Sequence, residues 1–517
     1  MRSDKYKKGY EYDSKKKDGF AGFTRKWAVL YALITIAVAA FVLYADILDV
    51  KTPLIGLGIM AVLFLLTFPA LFFRSFKKSR RILAFLLSLI ITAGYGLGAF
   101  YLGATLGFFS SITSIGASVE EYYVLVRDDD TFDKLEDIQG QTVVAYENGD
   151  GFAQAEEKLL ESVNVNFENA MSLSDATDGL LSGEHDVIFI NAANYETTAD
   201  SNETFEDSTK ILEKIRVRVE NEDISKRVNV TKKPFNVYIS GLDVSGSIGV
   251  QSRSDVNMIA TVNPETKKIL LTSIPRDYYV EFPNQGGAWD KLTHSGIYGI
   301  DDTIAAVENL TGIEMNYYAK VNYTTVETLV DAIGGITVHS DYTFVTHGMS
   351  VYYQFYEGDN EVNGSQALAF ARERKSFPDG DLQRNRNQQE VLKAILNKVL
   401  SSSTLLTKYT SILSSIEDNV ELNMSAKDIK ALVKMQLKDM SGWDIETQGI
   451  IGAAGYEPSY AAGGAYASVV LQDEESIREA VNNIKRTMGI EVTEEAAGDG
   501  TAGEGGSNTA GTYSQTA

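Results

Sequence analysis

Three stretches within the first 111 residues carry no charged side chain: Trp27–Ala45, of 19 residues, Thr52–Phe73, of 22, and Ile82–Ser111, of 30. A helix needs about 20 mostly apolar residues to cross the hydrocarbon of a bilayer. Burying three such runs as core helices is hard in so short a region. A cleaved leader has a shorter apolar region and is not followed by two more. The spacing therefore predicts three membrane-spanning helices over residues 27–111. Gly94, Gly96, Gly98 and Gly103 in the third are expected to let helices approach closely.

Flanking charge predicts the orientation. Residues 1–26 carry nine Lys or Arg, including Lys15, Lys16 and Lys17, and Arg74–Arg81 carries five. Asp46–Lys51 carries one. Basic segments stay on the cytoplasmic side. The N-terminus is thus expected inside, and everything after about residue 112 outside a cell membrane of Gram-positive type. Residues 1–111 hold 15 basic and 6 acidic residues, a net of +9; the chain's 47 Lys and Arg and 70 Asp and Glu leave 32 and 64 for the rest, a net of −32. An acidic body is a poor partner for a polyphosphate, so no nucleic acid partner is expected. The chain has no cysteine, which excludes disulfides and Cys-ligated metal centres.

Residues 112–230 read as a small α/β accessory unit. Its strands are expected at Tyr122–Val126, Thr142–Tyr146, Val187–Ile190 and Ile215–Val219, and a helix at Ala153–Val163. No nucleophile–base pair or metal-ligand spacing occurs there, and His185 reads as a solvated loop residue. Residues 231–490 alternate strands (Phe235–Gly241, Val256–Val262, Ile269–Ile274, Tyr278–Phe282, Tyr317–Val321) with helices (Thr303–Leu310, Thr325–Ile333, Ser365–Ala371, Gln389–Leu400, Ala426–Lys438, Glu474–Met488). That alternation predicts an α/β/α domain with a mixed central sheet. Residues 491–517, rich in Gly, Ala, Ser, Thr and Glu, are expected to be a disordered tail.

Four clusters in the second unit bear chemistry. Asp243 closes a strand, where α/β sheets gather ligands, and Arg253-Ser254-Asp255 opens the next. The two carboxylates flank one loop and suit an oxygen-ligated Mg²⁺; a self-satisfied turn Asp and an Arg253–Asp255 surface pair are the alternatives. Pro275-Arg276-Asp277 follows a third strand, with Lys291 and His294 soon after. Arg372 and Arg374 are two apart, so they share a face only if the helix ends near Ala371. Asp381, a good N-cap type, Arg384 and Gln388 share one helical face, which continues into Val391, Leu392, Ile395 and Val399. A closed Asp381–Arg384 pair is the plain alternative, yet Arg276, Arg372 and Arg374 add positive charge without matching acid. Carboxylates for a cation plus several Arg favour a phosphate ligand.

In this order the clusters resemble the LytR-CpsA-Psr family, closely over residues 235–400. The matching pieces are Gly241-Leu242-Asp243, Arg253-Ser254-Asp255, Ser273-Ile274-Pro275-Arg276-Asp277, Lys291-Leu292-Thr293-His294, Val330-Asp331-Ala332-Ile333-Gly334-Gly335 and Arg372-Glu373-Arg374 followed by Asp381, Arg384 and Gln388. The three spans and the accessory unit extend the resemblance to the streptococcal capsule-associated members. The resemblance implies a phosphotransferase that moves a capsular or other anionic glycopolymer from a polyprenyl-pyrophosphate-linked donor to peptidoglycan. It implies Mg²⁺, or Mn²⁺ in its place, on Asp243 and Asp255. It implies catalytic roles for Arg276, Arg374 and Asp381, and substrate contacts from Arg253, Lys291, Arg372, Arg374, Arg384 and Gln388. Partners implied are the lipid-linked glycan, peptidoglycan, the membrane and other capsule-assembly membrane proteins. Many members place Arg shortly after the first Asp; here Val244-Ser245 follow, so Arg253 is expected to supply that contact. An apolar prenyl pocket is also implied, with Leu329, Val330, Ile333, Leu368 and Phe370 as candidate lining or, more plainly, core. A membrane regulator and a non-catalytic polyprenyl-pyrophosphate binder are the competing readings.

Overall fold

The computed structural model describes residues 19–45, 51–112, 117–129, 131–202, 204–220, 222–242, 252–347, 351–400, 411–412, 415, 420–439 and 441–492. Asp243 and residues 1–18, 46–50 and 493–517, with the expectations stated for them, lie outside the described residues. Three apolar helices, α1 (Gly19–Ala45), α2 (Lys51–Phe72) and α3 (Lys78–Ile112), are each long enough to cross a membrane. They join through Trp27, whose Nε1 donates to Ser88 Oγ at 2.7 Å, and through the buried Tyr31, Leu71 and Tyr95. The third-helix glycines are not close-approach points: nothing lies within 4 Å of a Cβ placed at Gly94, Gly96, Gly98 or Gly103.

Next comes a five-stranded sheet of order β3-β2-β4-β1-β5, made by β1 (Ala117–Arg127), β2 (Thr142–Ala145), β3 (Asn166–Asn169), β4 (Val187–Asn191) and β5 (Thr209–Glu220). Helices α4 (Phe152–Ser162), α5 (Leu173–Ser182), α6 (Ala192–Ser201) and α7 (Phe205–Ser208) connect them. In β5, Ile215 and Val217 are buried and Arg216 and Arg218 exposed, the alternation of a half-covered strand. His185 lies in the loop before β4, as expected, but is half-buried rather than fully solvated. Its ring fills the space above Gly179, and its Nε2 is buried.

The second sheet has six strands in the order β16 (Val420–Leu422), β11 (Tyr317–Asn322), β6 (Phe235–Leu242), β7 (Ser254–Asn263), β8 (Lys268–Ile274) and β17 (Asp444–Gly449). Its centre is β6 (Phe235–Leu242), β7 (Ser254–Asn263) and β8 (Lys268–Ile274), successively antiparallel. Beside it a two-stranded ribbon pairs β9 (Tyr279–Phe282) with β10 (Ala288–Lys291), followed by α8 (Leu292–Ser295) and α9 (Ile300–Thr311). Strand β11 (Tyr317–Asn322) runs parallel to β6 and leads into α10 (Tyr323–Ile333), which Asn322 caps through Thr325 N. Small strands β12 (Ile336–Ser340), β13 (Phe344–Val345), β14 (Gln354–Phe355) and β15 (Gly358–Val362) precede α11 (Gly364–Arg372) and α12 (Gly380–Leu400). Then follow β16 (Val420–Leu422), α13 (Ala426–Asp439), β17 (Asp444–Gly449), the hairpin β18 (Gly452–Pro458) and β19 (Tyr466–Gln472), and α14 (Glu474–Thr487).

Strand alternation decides which helix covers which face. Tyr238, Ile259 and Leu270 pack with Val307 of α9 and Ile484 of α14. Their neighbours Met258, Ala260 and Leu271 pack with Leu392 and Leu396 of α12. The sheet is mixed and sandwiched between helices, an α/β/α layering. A third core joins α10, α11 and α12 through Val330, Phe370 and Val391.

The α10–α11 crossing depends on Gly364. Its N donates to Asp331 Oδ1 at 2.7 Å, and an added Cβ would stand 2.2 Å from Glu327 O. The obstacle is backbone, so Gly364→Ala is expected to cost about 1–3 kcal/mol. Thermal unfolding of the variant checks this; an unchanged midpoint would contradict the crossing.

Candidate active site

Strand direction collects the polar residues at one edge of the second sheet. Strands β6, β8 and β11 all end there, and β7 begins there. Asp255 is the second residue of β7, Arg276 follows β8 after Pro275, and Tyr323 follows β11. The helix end needed to bring Arg372 and Arg374 together is present. Helix α11 stops at Arg372, and Glu373 is extended, with φ −66° and ψ 132°. The chain then turns through Gly380, at φ +40°, into α12. Helix α12 thus starts one residue before Asp381, which lies in its first turn.

The resulting cavity, about 240 Å³, is lined by Asp255, Tyr323, His347 and Glu373 and by Arg276, Arg372, Arg374, Lys375, Arg384 and Gln388. Five of these are cations and two are carboxylates. Asp381 gathers three of the guanidiniums: Arg384 Nη2 at 3.3 Å, Arg374 Nη1 at 3.7 Å and Arg276 Nε at 4.0 Å. The Asp381–Arg384 pair exists, but it is one arm of a larger arrangement. Arg276 Nη1 also donates to Asp255 Oδ1 at 3.2 Å, which accepts a second bond from Thr293 Oγ1 at 3.1 Å. Burial alone would raise the Asp255 pKa; the charges of Arg276, Arg253 and Arg384 outweigh it and hold the carboxyl below the usual range. Burial would lower that of Arg276, yet Asp255, Asp277 and Asp381 raise it. Arg384 goes the other way, depressed by burial and then by the Arg276 charge.

Several buried atoms here have no hydrogen-bond partner: Arg276 Nε, Arg384 Nε and Nη2, and Asp381 Oδ1. Arg384 Nη2 is at ion-pair distance from Asp381 but is not aligned for a bond. Buried orphan donors are rare because each costs about 1–3 kcal/mol. Arg276, Arg372, Arg374, Lys375 and Arg384 together line one cavity, a gathering of cations that suits a multiply charged anion.

A second cavity, also about 240 Å³, continues from the first and shares Tyr323, Arg372 and Gln388 with it. Its walls are apolar, including Ile239, Met258, Val326, Leu329, Leu368 and Ile395. Helix α12 crosses both: Arg384 and Gln388 face the cationic cavity, and Gln388, Val391 and Ile395 the apolar one. Of the apolar candidates, Leu329 and Leu368 line the cavity, while Val330, Ile333 and Phe370 lie in the core between α10, α11 and α12.

Two expected contacts sit at the margin. Lys291 does not line the cavity; its Nζ is 3.5 Å from Asp277 Oδ1, the carboxylate that also holds Arg276 Nε at 3.6 Å. Arg253 faces the accessory unit, with Nε 3.8 Å from Glu196 Oε2, while its charge still acts on Asp255. His294 is not a further cation at the cleft. It is buried, and its Nδ1 bonds Asp290 at 2.9 Å. The sequence reasoning missed Tyr323, over whose ring Arg372 stacks at 4.2 Å, and also Thr293, His347 and Lys375. Tyr323 was findable, since it follows β11, which ends at the same edge as β6 and β8.

Of the two carboxylates expected to hold a divalent cation, the described one, Asp255, lines the anion cavity. Among the described residues no group of three or more His, Cys, Asp or Glu could hold an ion. A cation here would therefore rely on one or two carboxylates and on substrate oxygens, the usual habit of Mg²⁺.

A family model described as the LytR_cpsA_psr family matches residues 188–485. The polyisoprenyl-teichoic acid–peptidoglycan teichoic acid transferase TagU of Enterococcus faecalis is 36% identical over 228 residues, 44% of this chain and 73% of that protein. Its namesake from Bacillus licheniformis is 36% identical over 219 residues, 40% and 69% of the two chains. Among solved structures, B. subtilis TagV aligns with 27% identity and a TM-score of 0.42, over 50% of this chain and 99% of that one.

Proposed function

The chain belongs to the LytR_cpsA_psr family, and from that premise we propose that it is a membrane-anchored phosphotransferase attaching a capsular or other anionic glycopolymer to peptidoglycan. The observation that carries this is the junction of the two cavities at Tyr323, Arg372 and Gln388. A polyprenyl-pyrophosphate-linked glycan has an apolar chain joined to a polyanion, and this pair of cavities offers each part its own solvent. Three apolar N-terminal helices support a shared surface for enzyme and donor, which raises the effective concentration. With the basic segments cytoplasmic, the two folded units face outward, toward peptidoglycan.

In the reaction an acceptor sugar hydroxyl attacks the phosphorus bonded to the glycan. The P–O–P bridge breaks and polyprenyl phosphate leaves with the bridging oxygen. Arg276, Arg372, Arg374 and Arg384 line the cavity, bind the pyrophosphate oxygens and meet the charge that builds up. Asp381 sets the directions of Arg276, Arg374 and Arg384 and is assigned the hydroxyl proton. Mg²⁺, with Mn²⁺ as the substitute, would be held by Asp255 together with Asp243 and would neutralise phosphate charge.

The test incubates the full chain in nanodiscs with lipid-pyrophosphate glycan and peptidoglycan and measures glycan covalently attached to peptidoglycan. Donor binding without transfer to any acceptor would leave a lipid-pyrophosphate binder. Chelation is expected to abolish transfer and added Mg²⁺ to restore it; full activity in excess chelator refutes the metal role. Leu329→Trp narrows the apolar cavity and is expected to raise the donor KM at least tenfold, about 1.4 kcal/mol. An unchanged donor KM would remove the prenyl chain from that cavity.

A further inference from the structure

Four aromatic rings form a row beside the cleft. Tyr279 of β9 and Trp289 of β10 have ring centroids 5.4 Å apart. Tyr456 of β18 and Tyr466 of β19 stack at 5.7 Å with planes 27° apart. The pairs are joined, because Tyr279 Oη donates to Pro458 O at 3.0 Å and Pro458 is the ladder partner of Tyr466. Trp289 is 43% exposed, Tyr466 61% and Tyr456 65%. Contiguous apolar surface held in water marks an interaction site.

The row is tied to the margin of the cleft through a chain of ion pairs. Tyr279 pairs with Lys291 across the ribbon, Lys291 Nζ reaches Asp277, and Asp277 reaches Arg276. Val470 N donates to Asp277 O at 2.7 Å, which fixes β19 to the same segment.

The charge around the rings selects their occupant. Lys291, held by Asp277, is the one cation in Tyr278–Lys291 and Gly449–Ile477, which carry Glu281, Glu457, Asp473, Glu474 and Glu475 besides the buried Asp290. Such a rim repels a phosphate-bearing polymer and an anionic bilayer alike. An uncharged sugar ring offers apolar C–H faces to an aromatic plane, and its hydroxyls and amides can bond the acidic rim. We propose that Tyr279, Trp289, Tyr456 and Tyr466 form an acceptor platform, on which an uncharged N-acetylated glycan strand stacks and runs toward Arg276. The direction of the strand rests on the transferase reading; the binding of glycan does not.

The test titrates the full chain in nanodiscs with the β-1,4-linked tetramer of N-acetylglucosamine and follows tryptophan emission. The saturable signal should vanish in Trp289→Ala, which identifies the reporter. In Tyr456→Ala/Tyr466→Ala, with Trp289 intact and the thermal midpoint unchanged, the Kd should rise at least tenfold. In transfer assays the same double variant should raise the acceptor KM at least tenfold and leave kcat and the donor KM alone. No saturable binding by the wild type, or equal Kd in the double variant, overturns the platform. So does quenching of Trp289 by brominated lipid, seen as a difference from Trp289→Ala, which would assign the row to the membrane. A wild type that binds the tetramer but transfers nothing keeps the platform and removes the transferase.

Discussion

Arg276→Ala is expected to lower transfer by roughly 100- to 1,000-fold, the range seen when one preorganised donor is taken from developing charge. Arg276 sits where β8 ends, and Pro275 fixes the backbone just before it. Its Nη1 is committed to Asp255, while its Nε is buried without a bond. Arg276→Lys keeps the charge and loses the fork, so it should recover stability far better than rate. Equal recovery of both would make Arg276 a structural residue.

The same substitution has a pH signature. Asp255 is buried, and its pKa lies below the unfolded value because the arginine charges outweigh burial. A depressed carboxylate contributes stability that is present above the unfolded pKa of about 3.9 and is lost as pH falls through the folded value. Remove Arg276 and burial wins more of that contest. Loss of its ion pair leaves Asp255 to Thr293 and the more distant charges of Arg253 and Arg384, at a cost of up to about 3–5 kcal/mol at neutral pH. Protonation relieves that cost, so the gap in thermal midpoint between wild type and Arg276→Ala should narrow from pH 7 toward pH 4. A gap independent of pH in that window would show that Asp255 does not depend on Arg276.

Much of this site was legible in the sequence because it uses strand ends. Asp255, Arg276 and the Arg372–Arg374 pair stand at element boundaries that period and Pro or Gly signals reveal. The i, i+3, i+7 spacing of Asp381, Arg384 and Gln388 placed one helix face across both cavities. Boundaries were also close for the sheet: the expected strand Val256–Val262 lies inside β7, and the expected helix Thr325–Ile333 lies inside α10. What stayed hidden depends on tertiary approach. Nothing local separates Leu329, which lines the apolar cavity, from Val330, which is fully buried beside it. His347 reaches the cleft because its segment is tied to the 373–376 turn, with Nδ1 3.0 Å from Ser376 Oγ. Arg253 turned toward Glu196 because the accessory unit packs there, and no spacing within residues 231–490 encodes that neighbour. The glycines of α3 failed for the same reason: a small residue permits close approach but does not supply the partner.

Asp290→Ala should be the most destabilising substitution away from the anion cavity, by about 3–5 kcal/mol, the cost of breaking a buried charged network. Asp290 is fully buried. Its Oδ1 accepts from Lys291 N at 2.7 Å and meets His294 Nδ1 at 2.9 Å; its Oδ2 accepts from Ala461 N at 2.7 Å and Ser459 Oγ at 3.1 Å. One carboxylate thus ties β10 and α8 to the loop between β18 and β19. Burial would raise its pKa, but the bonds and charge from His294 and the two backbone N–H groups outweigh it and lower the value. Stability from Asp290 is therefore full at neutral pH and lost only as pH falls below the ordinary carboxylate range. Asn at this position keeps the shape but offers one acceptor oxygen to four donors, so Asp290→Asn should recover little of the loss. The kinetic consequence separates the two halves of the reaction. The hairpin that Asp290 holds carries Tyr456 and Tyr466, whereas the arginines sit on other elements. At a temperature where the variant remains folded, acceptor KM should rise while the donor KM holds. A matching rise in both would mean that the network supports the whole cleft, and that hairpin and anion cavity move as one body.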